Sequence, residues 1–334
     1  MAAYRFCRSD DIALLTDALN RCWSPHFPDD PAMTPAAFKQ SIRYRQVWCS
    51  SCMVAFAGAD PIAVLIGAKR PAGTLVHRIA VHPDHRRQDH GRHLLTSLAA
   101  KLAILGPPRT IAEVPETLDA ACRLFTATGY VREALLTDYV WQCEPGHDGH
   151  AIVGAAGLPD PSPRAGSSRA QSRDEPVPHS GASGAGFVIP VTLDDLAANG
   201  LLDDIHPQAC WERSVETLTA RKDDIAGLAV ATDERIEAYL LYARSDSGPE
   251  SRPETAAPAG TADVELLALG SAIEDGGFNL KRLLSRLRAQ TMRTVRLTKV
   301  HPAEFSTTLL ETLGFRPAGA HVLYAAVADQ ARPW

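Results

Sequence analysis

Residues 75–98 combine basic residues, histidines and a glycine in an order that suits anion binding. The segment reads LVHRIAVHPDHRRQDHGRHLLTSL. An apolar run ends at His82, a basic loop runs from Arg86 to Gly91, and leucines then recur at helical spacing. This order predicts a strand, a polar loop and a helix. A helix start presents unpaired N–H groups and a positive dipole end, so we predict a pyrophosphate site here.

The strand that precedes this loop carries a histidine. A regular strand would place Leu75, His77, Ile79 and Val81 on one side and Val76, Arg78 and Ala80 on the other. An imidazole has a pKa suited to accepting a proton near neutral pH, so His77 is a candidate general base. The alternative is a core histidine bonded to a carbonyl group.

A second chemically unusual stretch lies near the N-terminus. Trp23-Ser-Pro-His26-Phe27-Pro-Asp-Asp-Pro31 holds three prolines in nine residues, which exclude regular structure. It either packs as a surface loop or forms a wall of the substrate site. On the second interpretation Trp23, His26 and Phe27 contact the substrate.

Composition limits the function classes. The chain has 334 residues, enough for two domains, and a net charge of −5. Residues 1–143 hold 16 Lys and Arg against 13 Asp and Glu. This slight basic excess fits a phosphate-bearing ligand and argues against a nucleic-acid partner, which requires a strongly basic face.

The cysteines and the apolar runs add further expectations. The seven cysteines show no metal-ligand spacing, so we expect reduced thiols, no metal and a cytoplasmic location. The N-terminus does not resemble a signal peptide, and no apolar run approaches the length of a membrane span.

The order of strands and helices predicted for residues 4–142 recurs over residues 187–327. Residues 144–185 hold six Pro, seven Gly and six Ser but no Phe, Trp or Tyr, which is typical of a flexible linker. A Pro- and Ser-rich insertion at 245–262 is also expected to be mobile. We therefore predict a domain at 1–143, a linker at 144–185 and a second domain at 186–334.

Three segments together resemble the GNAT acyltransferases. They are VHPDHRR, the loop and helix RRQDHGRHLL, similar to the family's R/Q-x-x-G-x-G/A signature, and CRLFTATGY, similar to the closing helix. The resemblance covers residues 4–142, with a weaker copy over 187–327. It implies an α/β (α+β) protein of two tandem GNAT folds, each a mixed, mostly antiparallel sheet flanked by helices.

The resemblance also implies acetyl-CoA, or another acyl-CoA, as co-substrate. Arg86 takes the signature's first position and Gly91 its second glycine, while Asp89 replaces the first glycine. A register that starts at Gln88 fits the helix less well. Asp tolerates the left-handed backbone that glycine normally supplies. The residues implied in CoA binding are Ile79, Ala80, Val81, Arg86, Arg87, Gln88, Asp89, His90, Gly91, Arg92 and Phe125.

Amide formation needs a base for the amine and an acid for the leaving thiolate. His77 occupies a place where the family often has a Glu or a His, with His82 and His26 as other candidates. The family's usual acid is a tyrosine, and Phe125 stands there. The proton then comes from water or from Tyr139, Tyr130 or Cys122, and we give Tyr139 the catalytic role.

The resemblance implies an enzyme whose first domain transfers an acyl group to an amine of a small molecule. In the second copy, Glu274 and Asp275 replace the basic residues of the loop, so we predict that this copy does not bind CoA productively. A non-catalytic acyl-CoA sensor and a protein N-acetyltransferase are the alternatives.

Overall fold

The structure is a computed structural model that describes residues 2–142, 186–203, 205–244, 262–289 and 292–327. The predicted linker at 144–185 lies outside the described residues. So does most of the predicted insertion at 245–262, of which only the last residue is described.

The first repeat, residues 2–142, follows the predicted element order. Its elements are β1 (Ala3–Phe6), α1 (Ile12–Cys22), α2 (Pro35–Arg45), β2 (Met53–Ala57), β3 (Asp60–Arg70), β4 (Gly73–Val81), α3 (His90–Leu105), β5 (Arg109–Pro115), α4 (Asp119–Ala127) and β6 (Val131–Gln142). The helix α2 begins with a side-chain cap: Thr34 Oγ1 accepts the N–H of Ala37, and Pro35 occupies the first turn.

The second repeat, residues 186–327, contains the same strands in the same order. Its elements are β7 (Phe187–Val191), α5 (Leu193–Ala198), α6 (Val215–Ala220), β8 (Ala226–Ala231), β9 (Ile236–Arg244), β10 (Ala262–Ser271), α7 (Phe278–Arg288), β11 (Met292–Val300), α8 (Thr307–Thr312) and β12 (Arg316–Val327).

The two repeats share one sheet of 12 strands. Its order is β1-β2-β3-β4-β5-β12-β6-β11-β10-β9-β8-β7. Only β4 with β5 and β10 with β11 pair in parallel; the other described pairs are antiparallel. The predicted α/β (α+β) class, with mixed and mostly antiparallel sheets flanked by helices, is confirmed.

The last strand of each repeat lies within the sheet of the other. Strand β12 pairs with β5 from Val327↔Arg109 to His321↔Pro115, and its other edge pairs with β6. Strand β6 in turn pairs with β11. Each repeat therefore supplies hydrogen-bonding partners that the other lacks, and neither sheet is complete on its own.

The hydrophobic cores of the first repeat also contain side chains of the second repeat. In the first repeat, α3 and α4 pack on one face of the sheet, and Tyr324 of β12 lies in this core beside Phe125. Helices α1 and α2 pack on the other face, and Trp211 of the second repeat enters that core. The ring centroids of Phe125 and Tyr324 are 5.7 Å apart. Apolar burial therefore joins the repeats as firmly as the backbone hydrogen bonds do.

No described helix is both long and apolar enough to cross a membrane.

The strand exchange predicts how fragments behave. A fragment of residues 1–143 should aggregate or unfold without a cooperative transition, because β5 and β6 then expose unpaired edges and Phe125 loses Tyr324. Co-expression with residues 186–334 should restore a single cooperative unfolding transition, followed by circular dichroism. A monomeric 1–143 fragment with a sharp transition would contradict this prediction.

Candidate acyl-CoA and acceptor site

A cleft of about 960 Å³ opens where β4 and β5 separate. It collects most of the predicted site residues, although they lie far apart in the sequence. Those that line it are Trp23, His26, Phe27, His77, Ile79, Ala80, Val81, Arg86, Arg87, Asp89, His90, Gly91, Arg92 and Phe125. Gln88 is exposed outside the lining, and Tyr139 lies elsewhere.

The separation of β4 from β5 leaves backbone groups facing the cleft. The two strands pair only at Thr74↔Thr110 and Leu75↔Ile111. Because the N–H of His82 donates to the carbonyl of Ile62 on β3, alternation turns the backbone groups of Ile79 and Val81 away from β3. The carbonyl of Val81 already has a partner within the chain, because it accepts a hydrogen bond from His26 Nε2 at 2.8 Å.

His77 sits at an irregularity in β4. Arg78 pairs with Ile66 and Val76 with Gly67, so His77 is one residue more than the opposite strand provides. The regular alternation predicted for β4 is therefore wrong. Val76 and Ile79 share the α3 face, whereas Leu75 lies on the opposite face. The bulge turns His77 toward the cleft at the point where the strands part.

The loop before α3 adopts the backbone that the signature requires. Asp89 has φ +58°, a left-handed conformation, although it is not glycine. Arg87 is left-handed too, at φ +62°. The Asp89 side chain is 82% exposed, with Oδ1 3.8 Å from Arg92 Nε, so the carboxylate points away from the helix start. The first N–H groups of α3 thus stay open toward the cleft.

Gly91 and His90 are fixed by packing. A Cβ atom at Gly91 would lie 3.0 Å from Leu124 Cδ2, so a larger residue at this position would require the Leu124 side chain to shift. The His90 ring is buried and its Nδ1 lies 2.5 Å from the hydroxyl oxygen of Tyr4. Burial lowers the pKa of His90, so its ring stays neutral beside the loop at neutral pH.

The aromatic loop forms a wall of the cleft. Trp23 and Phe27 stack with ring centroids 4.3 Å apart, and Trp23 Nε1 donates to Asp30 Oδ2 at 2.8 Å. These two contacts lie within the loop. The bond from His26 to Val81 attaches the loop to the end of β4. Of the two interpretations left open by the sequence, the geometry favours the wall.

The predicted proton donors do not reach the cleft. Tyr139 is buried in the core of the second repeat, because β6 pairs with β11, so its assignment as the catalytic acid is corrected. Tyr130 is buried against Phe125, and Cys122 Sγ faces the carbonyl of Pro115. Among the described residues, no tyrosine or cysteine lines the cleft.

A buried charge network at the cleft joins the two repeats, and the sequence analysis missed it. Glu113 of β5 lines the cleft, and its carboxylate accepts from Lys299 Nζ at 2.9 Å and from the N–H of Trp211 at 3.0 Å. Lys299 Nζ also donates to Glu212 at 3.1 Å, and Arg45 Nε lies 4.0 Å from the same carboxylate group. The available signal was an acid between the apolar residues Ala112 and Val114 of β5.

The network explains the charge states around it. Burial raises the pKa of Glu113, and the ammonium of Lys299 acts in the opposite direction. The two carboxylates hold the pKa of Lys299 above its ordinary value against the effect of burial. Burial and then Arg45 set the pKa of His77 well below 6.5, with Glu212 opposing. His77 is therefore neutral at physiological pH and able to accept a proton.

The corresponding loop of the second repeat is closed by its own carboxylate. Asp275 accepts the N–H of Gly277 at 2.9 Å and the N–H of Asn279 at 2.8 Å. The N–H groups that could bind phosphate at the start of α7 are thus already partnered by a negative charge.

Comparison with known proteins agrees with this architecture. Residues 12–130 match the profile of a family described as the acetyltransferase (GNAT) family. A tandem GNAT protein from the clavulanic acid biosynthesis pathway is similar in structure, with a TM-score of 0.58, 15% identity and coverage of 99% of this chain and 100% of that one. A GCN5-related N-acetyltransferase from Sphaerobacter thermophilus gives a TM-score of 0.57, 12% identity and coverage of 100% and 98%. No curated protein sequence matches.

Asp89→Gly should tighten CoA binding about threefold. It removes an exposed carboxylate near the bound phosphates and relieves a left-handed non-glycine residue. Isothermal titration with CoA measures the change, and Asp84→Gly is the matched control, because Asp84 is exposed and does not line the cleft. An equal or weaker affinity of Asp89→Gly would show that this loop does not hold the phosphates.

Lys299→Met should destabilise the protein by about 3 to 5 kcal/mol, because it leaves Glu113 and Glu212 buried without their shared cation. Urea denaturation measures the free energy of unfolding. Lys222→Met, which breaks an exposed pair with Asp194, should leave the midpoint unchanged. Equal midpoints for wild type and Lys299→Met would contradict the role of the network.

Proposed function

We propose that this chain is an acyl-CoA-dependent N-acyltransferase whose active site is the cleft between β4 and β5, since residues 12–130 match the acetyltransferase (GNAT) family. The acceptor is an amine of a small molecule and the donor is acetyl-CoA or a similar acyl-CoA. The observation that carries the proposal is the joint placement of the open start of α3, the parted strands and a neutral histidine in one cleft.

The residues of the cleft fit an acyl-CoA. The N–H groups at the start of α3, with Arg86, Arg87 and Arg92, suit the pyrophosphate by charge and by hydrogen bonding. The outward-facing backbone groups of Ile79 and Val81 suit the amides of the pantetheine arm, although the Val81 carbonyl already accepts from His26. A bound acyl-CoA would supply the activated thioester carbonyl.

His77 is proposed as the general base. Its neutral ring lines the cleft and can take the proton of the attacking amine. The thiolate would be protonated by water, because no tyrosine or cysteine among the described residues lines the cleft. Glu113 is a weaker candidate base, since Lys299 and Trp211 already engage its carboxylate.

The second repeat is proposed as a structural partner that does not bind CoA productively. Asp275 closes its loop, while Trp211 and Lys299 hold Glu113 of the cleft lining in place from behind. The domain limits at 143 and 186 remain part of this proposal, because β6 and β12 cross between the sheets.

A sensor that binds acyl-CoA without turnover is the second candidate. The absence of a tyrosine or cysteine from the described cleft lining favours it. Free-thiol release from acetyl-CoA over a panel of amines separates the two functions. CoA binding without thiol release from any amine would favour the sensor, and absence of CoA binding would contradict both.

His77→Gln should lower kcat about a hundredfold or more and leave the affinity for CoA unchanged. The acid limb of the kcat profile of the wild type should have its midpoint below 6.5, since burial depresses the pKa of His77, and the variant should lose that limb. His206→Gln, in the second repeat, is the control. A kcat profile for His77→Gln that matches the wild type would show that His77 is not the base.

A further inference from the structure

Arg78 projects into the same cleft, and its guanidinium has no bonded anionic partner among the described residues. Its guanidinium carbon lies 4.9 Å from the ring centroid of Trp23, and the residue lines the cleft partly buried. None of the described residues forms a hydrogen bond or an ion pair with this guanidinium. Asp30 is near enough to act on Arg78 through its charge, but its carboxylate is bonded to Trp23 Nε1.

An unpaired, partly desolvated cation is costly in a folded protein. Burial and then Arg45 lower the pKa of Arg78, yet a guanidinium remains charged. By contrast, the two buried arginines of the described residues have protein partners: Arg213 pairs with Glu304, and Arg70 bonds to Gln46, Ser214 and Thr217. The exception at Arg78 indicates that its anionic partner is a ligand.

The position of Arg78 in the sheet indicates which part of the substrate pair it faces. Its ring partner Trp23 packs with α1 and α2, on one face of the sheet. The basic loop precedes α3, which packs on the opposite face. A CoA whose pyrophosphate binds at the start of α3 therefore keeps its phosphates on the far side of β4. Arg78 faces the acceptor, or the end of the acyl chain, across the parted strands.

We propose that Arg78 binds a carboxylate of the substrate pair, carried by the amine acceptor or by the acyl group. This inference rests on the proposed function of the cleft. A single planar guanidinium offers two parallel N–H donors that match a carboxylate, and the face of Trp23 holds that plane in position. The protein would thus select an amino-acid-like acceptor or a dicarboxylic acyl donor.

Turnover of matched amine pairs tests the proposal. Each pair differs only by a carboxylate: L-phenylalanine against phenethylamine, L-lysine against cadaverine, and β-alanine against ethylamine, each with acetyl-CoA. A carboxylate on the acceptor predicts at least a tenfold preference in kcat/KM for the acid member of a pair. Arg78→Gln should erase this preference through KM and leave the partner amine within twofold, and Arg78→Lys should restore part of it.

A donor series identifies the other source of the carboxylate. If the acyl group carries it, the wild type should use succinyl-CoA at least tenfold better than acetyl-CoA, and Arg78→Gln should erase that difference. Arg43→Gln is the matched control, since Arg43 is 68% exposed on α2 and distant from the cleft lining. Unchanged CoA affinity shows that the Arg78 variants are folded.

A binding series does not depend on catalysis. With CoA present, the wild type should bind N-acetyl-L-phenylalanine tighter than N-acetylphenethylamine, or succinate tighter than butyramide, and Arg78→Gln should abolish the difference. Absence of thiol release would contradict the proposed function, while these affinities still decide the role of Arg78. A wild type without any carboxylate preference, or a variant that weakens both members of a pair equally, would overturn the proposal.

Discussion

The pairing of β12 with both β5 and β6 is the constraint on which the rest of the structure depends. Strand β5 is a wall of the cleft, and it parts from β4 after two residues. Without β12, β5 would have little to hold it in the sheet. The same strand brings Tyr324 against Phe125, and β11, which pairs with β6, brings Lys299 to Glu113. No described residue of the second repeat lines the cleft, but its strand β12 holds β5, a wall of that cleft, in the sheet.

The two repeats place a carboxylate at the same helix start with opposite results. Asp89 takes a left-handed backbone and turns its side chain to solvent, so the N–H groups of α3 remain available. Asp275 lies two residues before Gly277, the left-handed residue that precedes α7. Its carboxylate accepts the N–H groups of Gly277 and Asn279. The difference lies in the position of each Asp relative to the residue that precedes the helix. A carboxylate that can reach the first turn acts as a cap and replaces a bound anion, whereas one at the left-handed position cannot reach it.

Local patterns in the sequence predicted the local features of the site. The strand, loop and helix around Arg86, and the aromatic loop after Trp23, are contiguous, and both line the cleft. What the sequence did not reveal depends on partners distant in the chain. The bulge at His77 exists because β3 is one residue short opposite it, so strict alternation failed. Glu113 meets Lys299 only through the exchange of β12 and β6, and the same exchange carries Tyr139 away from the cleft.

The exchange of β6 and β12 takes place within one polypeptide, and this has a consequence for assembly. Strand exchange between separate subunits produces a dimer whose stability falls on dilution. Here both partners belong to one chain, so their effective concentration is fixed by covalent connection and is independent of how much protein is present. The cleft can therefore be built from two half-sheets and still survive at any dilution. The two repeats are thus joined like the subunits of a strand-exchanged dimer, but within a single chain that dilution cannot separate.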